Sequence, residues 1–362
     1  MKTQSSLPDC TSAPAFRAGA RFFSLRDIFD AAQARGALED FRAAWESRRA
    51  AAARADAAGL EPDGPEVEAA SNVFRYSRDL VTAEECERWL TQRGLTFDDL
   101  TTSISRRLQA ELGRFEAPAK DRLATETGEE GCSGAGDRDG FYRDVLLADE
   151  FAKWARDLAW RVALAMEEGA RIFPSVSEDT DSRSSGNHAV APEGGALSEG
   201  QRIDWAGLEA RFAAAAARLT EPERRRRELA ALRLALTRLR VVASEFDSVT
   251  AAREAFLCAR EDGVSLEEIA RTNGFQFEEY AWLFEDFAPD WQQALLSASP
   301  GEVTPPMPHA AGFVVLQLLD KRDPSLEDAE VRKRLDKNLA RRWFGELEAR
   351  HIRWLLNIEV ET

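Results

Sequence analysis

Apolar positions recur with helical spacing along most of the chain and give way to short apolar runs in one region toward its C-terminal end. Leu25, Ile28, Phe29 and Ala32 mark one face of a helix starting at Ser24, and Phe41 and Trp45 mark a second face after Gly36. The stretch Glu61-Pro62-Asp63-Gly64-Pro65 breaks the pattern. Thr82 with Glu85, and Thr96 with Asp99, have the spacing of reciprocal helix caps. They predict short helices that bury Trp89, Leu90, Leu95, Phe97 and Leu100. Leu146, Leu147, Phe151, Trp154, Leu158 and Val162 predict a further helix within 141–170. Residues 204–236 read as helices interrupted at Glu221-Pro222, with Thr220 and Glu223 as another cap pair. Helical spacing returns over 325–356 through Val331, Leu335, Leu339, Trp343 and Leu347, then Ile352, Trp354 and Leu355.

The region 237–322 has a different rhythm. Leu239 to Ala243 is a short apolar run with paired β-branched residues, which predicts a strand. Ala252, Ala255, Phe256 and Ala259 form one helix face, ended by Gly263. Ser265, with Glu268 three residues on, starts a second helix that Asn273-Gly274 ends. An aromatic run from Tyr280 to Phe284 follows, then one or two helical turns over Asp290 to Ser297. Pro300-Gly301 turns the chain, Glu302-Val303-Thr304 is extended, and Phe313 to Leu319 reads as a buried strand. The predicted order is β-α-α-β-α-β-β.

On these residues the region resembles the parvulin (PpiC/SurA-type) peptidyl-prolyl isomerase domain. The segment LLSASPGEVTPPMPHAAGFVVLQLLDKR is similar to the family's P-G-E-V turn followed by G-Y-H-I-I and a closing K-R. The resemblance implies a small α+β domain embedded in a mostly helical SurA-like chaperone module. Active members carry a histidine in the first strand and another in the last; those places fall at Val241 and Val314. The family's Cys or Asp near the middle strand has no counterpart in EEYAWLFEDF. The large apolar residues that precede the P-G-E-V turn correspond to Phe287 and Trp291. The resemblance therefore implies a proline-binding wall without the usual polar network. The stretch T-A-E-E-x-E-x-W-L-x-x-R-G-L-T-x-D-D resembles the N-terminal helical module of SurA-type chaperones. With EFDSVTAAREAFLCAREDGVSLEEIA and NVFRYSRDLVTAEECERWLTQRGLTFDDL, the chain also resembles putative peptide maturation system proteins, linked to ribosomally made, modified peptides.

The expected organisation is a disordered tail over 1–20, an N-terminal helical module over 21–173 with a loop at 117–140, and a disordered linker over 174–203. Connecting helices then fill 204–236, the parvulin-like domain 237–322, and a C-terminal helix over 323–362 packs back on the N-terminal module. The loop's Gly-x-Gly spacing lacks the preceding strand and following Lys-Ser/Thr of a phosphate loop. A net charge of −16 argues against nucleic acid or anionic membrane as a partner and suits a basic peptide. There is no apolar run long enough to span a bilayer, and the first 23 residues show no apolar signal core, so the expected location is the cytoplasm. Cys10, Cys86, Cys132 and Cys258 are scattered without a C-x-x-C pair, which suggests neither a metal site nor a disulfide framework, and no cofactor is expected.

Three histidines are present. His188 lies in the linker and His351 on the last helix, both read as structural. His309, in TPPMPHAAG, reads either as a loop residue or as a displaced polar contributor at the mouth of the pocket. Phe275, Phe277, Tyr280, Trp282, Phe284, Phe287 and Trp291 are a dense aromatic group, either core or partly exposed as a groove for proline-rich or apolar peptide. Phe287, Trp291 and Phe313 are the expected pocket wall, with His309 beside them. The four-arginine run Arg224–Arg227 reads as a solvated face or as a site for an acidic segment.

Prolyl rotation faces a barrier of roughly 18–20 kcal/mol and needs no covalent step, so an apolar wall alone lowers it to some degree, while loss of a hydrogen-bonded network removes preorganisation. The expected function is a chaperone-like protein that binds a peptide or unfolded polypeptide, the precursor of a modified peptide among them, and presents it to modifying enzymes with weak or no isomerase activity. The alternatives are an active isomerase, whose turnover would depend on Trp291, and a scaffold that tethers enzymes and tolerates Trp291→Ala.

Overall fold

A computed structural model describes residues 12–115, 135–170, 172, 203–309 and 312–358; side chains are described from 140 onward in the helix that begins at Ala135. The expected loop over 117–140 lies mainly outside the described residues, as do the linker, His188, Cys10 and Cys132. The chain divides into two compact units, one of Met1–Ala214 with Trp343–Thr362, the other of Ala215–Arg342.

In the first unit, β1 (Pro14–Ala18) pairs with both β2 (Arg21–Ser24) and β7 (Ile352–Trp354), giving the order β2-β1-β7. This corrects the expected tail: from Pro14 on, the chain is a sheet strand rather than disordered. Phe16 and Phe23 stack at 4.7 Å, with Trp354 edge-on to Phe16 at 5.2 Å, so the small sheet closes on its own aromatic core. Ser24 then caps α1 (Leu25–Ala34) reciprocally with Asp27. The face predicted for this helix is buried: Leu25, Ile28, Phe29 and Ala32 are all 1% exposed or less. It shares one cluster with Phe151, Trp154, Leu158 and Val162 of α7 (Asp149–Glu167). Trp45 of α2 (Ala37–Ala57) donates to Asp144 at 2.7 Å and meets Phe141 edge-on.

The predicted caps at Thr82 and Thr96 form. Thr82 and Glu85 bond reciprocally at the start of α4 (Ala83–Thr91), as do Thr96 and Asp99 before α5 (Phe97–Phe115). Trp89, Leu90, Leu95 and Leu100 are buried, but Phe97 is exposed, since it sits on the outer side of the first turn. Arg93 lies under this surface, 2% exposed. Its guanidinium carbon is 3.6 Å from the Trp89 ring centre, and Nη2 donates to the Asn357 carbonyl at 2.6 Å. The C-terminal segment departs from expectation. Its helix, α13 (Ala329–His351), ends at His351 and the chain turns into β7. Within the first unit, Phe344 stacks on Trp160 of α7 and on Phe212. His351 bonds Glu167 at 2.6 Å.

The second unit has the order β3 (Arg238–Phe246), α10 (Val249–Glu261), α11 (Leu266–Asn273), β4 (Phe277–Leu283), α12 (Pro289–Ser297), β5 (Met307–His309) and β6 (Gly312–Arg322). The four strands form one antiparallel sheet, β4-β3-β6-β5. Alternation along the strands divides the core in two. Val242, Phe246 and Val315 face α10 and α11 through Ala252, Ala255, Leu266 and Ile269. Leu239, Val241, Ala243, Val314, Leu316 and Leu318 face Phe284, Phe287, Trp291 and Leu295. The unit extends beyond 237–322 on both sides, because Leu236 and Leu283 pack with Val331 and Leu335 of α13.

Two cap readings are corrected. At α11 the Ser265 hydroxyl accepts from the Glu268 amide, the forward half of a box. At α9 (Pro222–Ala231) the capping position is Glu221, and the Thr220 hydroxyl bonds back to Ala216 instead. In the arginine run, Arg225 is held in a forked pair with Asp336 at 2.7 and 2.8 Å, while Arg224 and Arg227 are exposed.

Candidate functional site

The face of the second sheet that carries α12 brings the predicted residues together, with one exception. The extended segment after the turn sets up the strands. Gly301 has φ +90°, and its amide donates to the Leu318 carbonyl at 2.7 Å. Thr304 bonds the Leu316 backbone in both directions. The chain then reverses through β5 into β6, placing Met307 opposite Val314 and His309 opposite Gly312. Gly312 is required there: a Cβ on it would lie 2.4 Å from the Phe246 carbonyl oxygen.

Pro289 in the first turn of α12 directs Trp291 and Leu295 onto the sheet. Trp291 is 8% exposed and Phe287 3%. Their rings are 6.3 Å apart, and the His309 ring lies 5.7 Å from Trp291. On the edge strand β4, Tyr280 stands opposite Val241 and Trp282 opposite Leu239, so both rings rise on this face. Tyr280 meets Trp282 at 4.5 Å and Trp291 at 5.7 Å, and Trp282 meets Phe287 at 5.5 Å. Trp282 is 44% exposed. The result is a continuous aromatic shelf that starts in the core at Phe287 and Trp291 and emerges at Tyr280 and Trp282.

Phe313 is not part of it. Side chains alternate along β6, and Val314, Leu316 and Leu318 take the shelf face, so Phe313 packs with the cluster under α10 and α11. Phe275 and Phe277 also belong to that side: Phe275 meets Phe246 at 4.8 Å, and Arg271 lies over Phe277. Tyr280 and Trp282, named in the sequence only as part of the aromatic group and not of the expected wall, join the shelf because their i, i+2 spacing in a strand places them on one face.

Val241 and Val314, the two positions that the resemblance assigns to histidine, are both fully buried on this face. The floor beneath the aromatics therefore offers no side-chain donor. Polar groups collect at one end. Glu245 stands opposite Val314, and Glu278 opposite Ala243. The Tyr280 hydroxyl donates to Glu278, and His309 Nε2 is 3.6 Å from Glu245. The Tyr280 phenol is pushed up to about 12, first by partial burial, then by its bond to Glu278 and the negative charges of Glu278 and Glu245. This arrangement suits binding an apolar or prolyl group against stacked rings. It presents no nucleophile poised against a base. Among the described residues no group of three or more His, Cys, Asp or Glu is placed to hold a metal, and no helix is long and apolar enough to cross a membrane.

No family model and no curated protein matches this sequence. Among solved structures, the chain is similar to one from work on PEB4 and the periplasmic protein Cj1289, two SurA-like chaperones of Campylobacter jejuni. That match has 9% identity and a TM-score of 0.19, and covers 95% of this chain and 99% of the other. It is also similar to the peptidylprolyl isomerase PrsA of Bacillus cereus, with 10% identity and a TM-score of 0.22, covering 97% of this chain and 94% of the other.

Proposed function

We propose that the second unit binds extended, proline-containing peptide segments across the aromatic shelf. On this reading the chain is a chaperone-like, parvulin-related protein of the cytoplasm. It assists maturation of a ribosomally made, modified peptide by holding the precursor for modifying enzymes, and its prolyl isomerase activity is weak or absent. The observation that carries the reading is the shelf itself: exposed Trp282 and half-buried Tyr280 continue a wall of buried Phe287 and Trp291. Aromatic rings of this kind take up proline and apolar side chains with little ordering cost. The β-α-α-β-α-β-β order and the resemblance over 295–322 support the parvulin relationship. The apolar floor at Val241 and Val314 supports binding over turnover, because a twisted imide finds no hydrogen-bond donor there.

The test is a protease-coupled isomerase assay on X-Pro tetrapeptides with the full chain, beside a calorimetric titration of the same peptides. The expected result is saturable binding that Trp282→Ala and a Pro→Ala peptide both weaken, with no acceleration of isomerisation. Acceleration lost in Trp282→Ala would make the protein an active isomerase. Absence of peptide binding, with partner enzymes still captured by Trp282→Ala, would leave the scaffold reading.

A further inference from the structure

The polar end of the shelf carries a charge pattern that the peptide-binding reading does not use. Several carboxylates of the second unit are held by arginines. Glu279, one residue along β4 and on the opposite face, is bound by Arg240 at 2.6 and 2.9 Å. Glu285 and Asp286 are bound by Arg334, and Asp328 and Glu330 by Arg238. Glu245 and Glu278 are not, and they stand on the shelf face. Among the described residues, neither has a lysine or arginine partner; their neighbours are the His309 ring and the Tyr280 hydroxyl. The Glu245 side chain is 62% exposed. Both carboxylates project from the shelf face, beside the rings of Tyr280 and Trp291, which are 5.7 Å apart. A half-buried aromatic ring and two carboxylates without a lysine or arginine partner are the chemistry that holds an ammonium or guanidinium group: the ring attracts it by its quadrupole and the carboxylates by charge.

We infer that the shelf selects peptides with a lysine or arginine next to the proline or apolar residue it binds, the cation seated against the Tyr280 ring between Glu245 and Glu278. This rests on the peptide-binding reading and adds its substrate class. Aromatic and carboxylate contacts at a half-exposed site predict a preference of roughly five- to tenfold over a neutral side chain of the same size. Because the ion pairs are near water, the preference shrinks with added salt.

The experiment is calorimetric titration of the full chain with three peptides that share a proline-aromatic core and carry lysine, norleucine or glutamate before the proline. Wild type is expected to bind the lysine peptide roughly five- to tenfold tighter than norleucine, and glutamate weakest. The double variant Glu245→Gln/Glu278→Gln is expected to bind lysine and norleucine peptides within about twofold of each other while still binding both. Glu279→Gln, which removes one negative charge on the other sheet face where the double variant removes two, is expected to keep most of the preference. A preference that falls equally in Glu279→Gln would reduce the effect to overall charge and overturn the inference. Equal binding of lysine and norleucine peptides by wild type would also overturn it and leave the peptide-binding reading standing. Failure of all three peptides to bind would overturn both.

Discussion

Trp291 and Trp282 belong to one shelf but differ in what holds them, and that difference separates a stability probe from a binding probe. Trp291 is 8% exposed, Trp282 44%. A tryptophan offers up to roughly 250 Å². At about 25 cal/mol per Å², near-complete burial at Trp291 withdraws surface worth about 5–6 kcal/mol, an upper bound because the unfolded chain buries some of it. Trp291→Ala also leaves a void among Tyr280, Phe287 and Leu295, so the expected cost is about 3–5 kcal/mol. Trp282→Ala opens to water instead of to a void and loses ring contacts with Tyr280 and Phe287, about 1–2 kcal/mol. For a unit the size of Ala215–Arg342, 1 kcal/mol moves the transition by about 4 °C. Thermal unfolding of the full chain followed by far-ultraviolet circular dichroism reads this, since nine tryptophans make fluorescence ambiguous. Trp291→Ala is expected to lower its transition by about 12–20 °C, Trp282→Ala by about 4–8 °C. Equal shifts, or a Trp291→Ala shift below about 4 °C, would refute the placement of Trp291 in the core. For the same reason Trp291→Ala is a poor reporter of peptide binding and Trp282→Ala a good one.

Two other outcomes follow from the site. The Tyr280 phenol titrates at about 12, so its neutral form is favoured in the folded chain; that stabilisation is complete below pH 10, the ordinary phenol value, and is lost as pH rises through about 12. Ultraviolet titration of tyrosinate should show this late transition among the three tyrosines, and Tyr280→Phe should remove it. Gly312→Ala places a Cβ 2.4 Å from the Phe246 carbonyl oxygen and 3.3 Å from its carbon, both backbone atoms of the neighbouring strand. It is expected to cost about 1–3 kcal/mol in urea unfolding and to weaken peptide binding, because His309 is positioned by its pairing to Gly312.

Much of the second unit was legible because its elements announce themselves locally. Ser248 and Ser265 accept from the third residue on, and Gly274 ends α11 with φ +73°. The Val241-Val242 pair and the run from Phe313 to Leu319 have no way to be amphipathic helix faces, and they became the two central strands. The same continuity hid the face of Phe313. A strand that is apolar on both sides carries no parity signal, and a one-residue slip moves every side chain to the other face. The strand β1 was illegible for another reason. Pro14–Ala18 is short and contains two alanines; its partners are the adjacent β2 and the distant β7. Nothing local marks a strand whose existence depends on pairing more than 300 residues away.

Glu245 and Glu278 show the same limit at the candidate site. In the sequence they are two of 64 acidic residues. Only the β3–β4 register, with Ala243 opposite Glu278 and Val241 opposite Tyr280, places them on one face beside the rings. The wall of the shelf was legible because it is also core: Phe287 and Trp291 are large, apolar and spaced for a turn and a helix. Its working edge was not, because exposure of Tyr280 and Trp282 follows from β4 lying at the margin of the sheet. That division has a functional consequence. The buried rings fix the exposed ones through ring contacts at 4.5–5.7 Å, so the proposed binding surface is ordered without a peptide. A surface held in place by its own core loses little conformational freedom on binding. On the proposed reading, capture of a peptide then rests on the rings and not on a polar network at Val241 and Val314, whose absence removes the preorganised donors that would speed rotation.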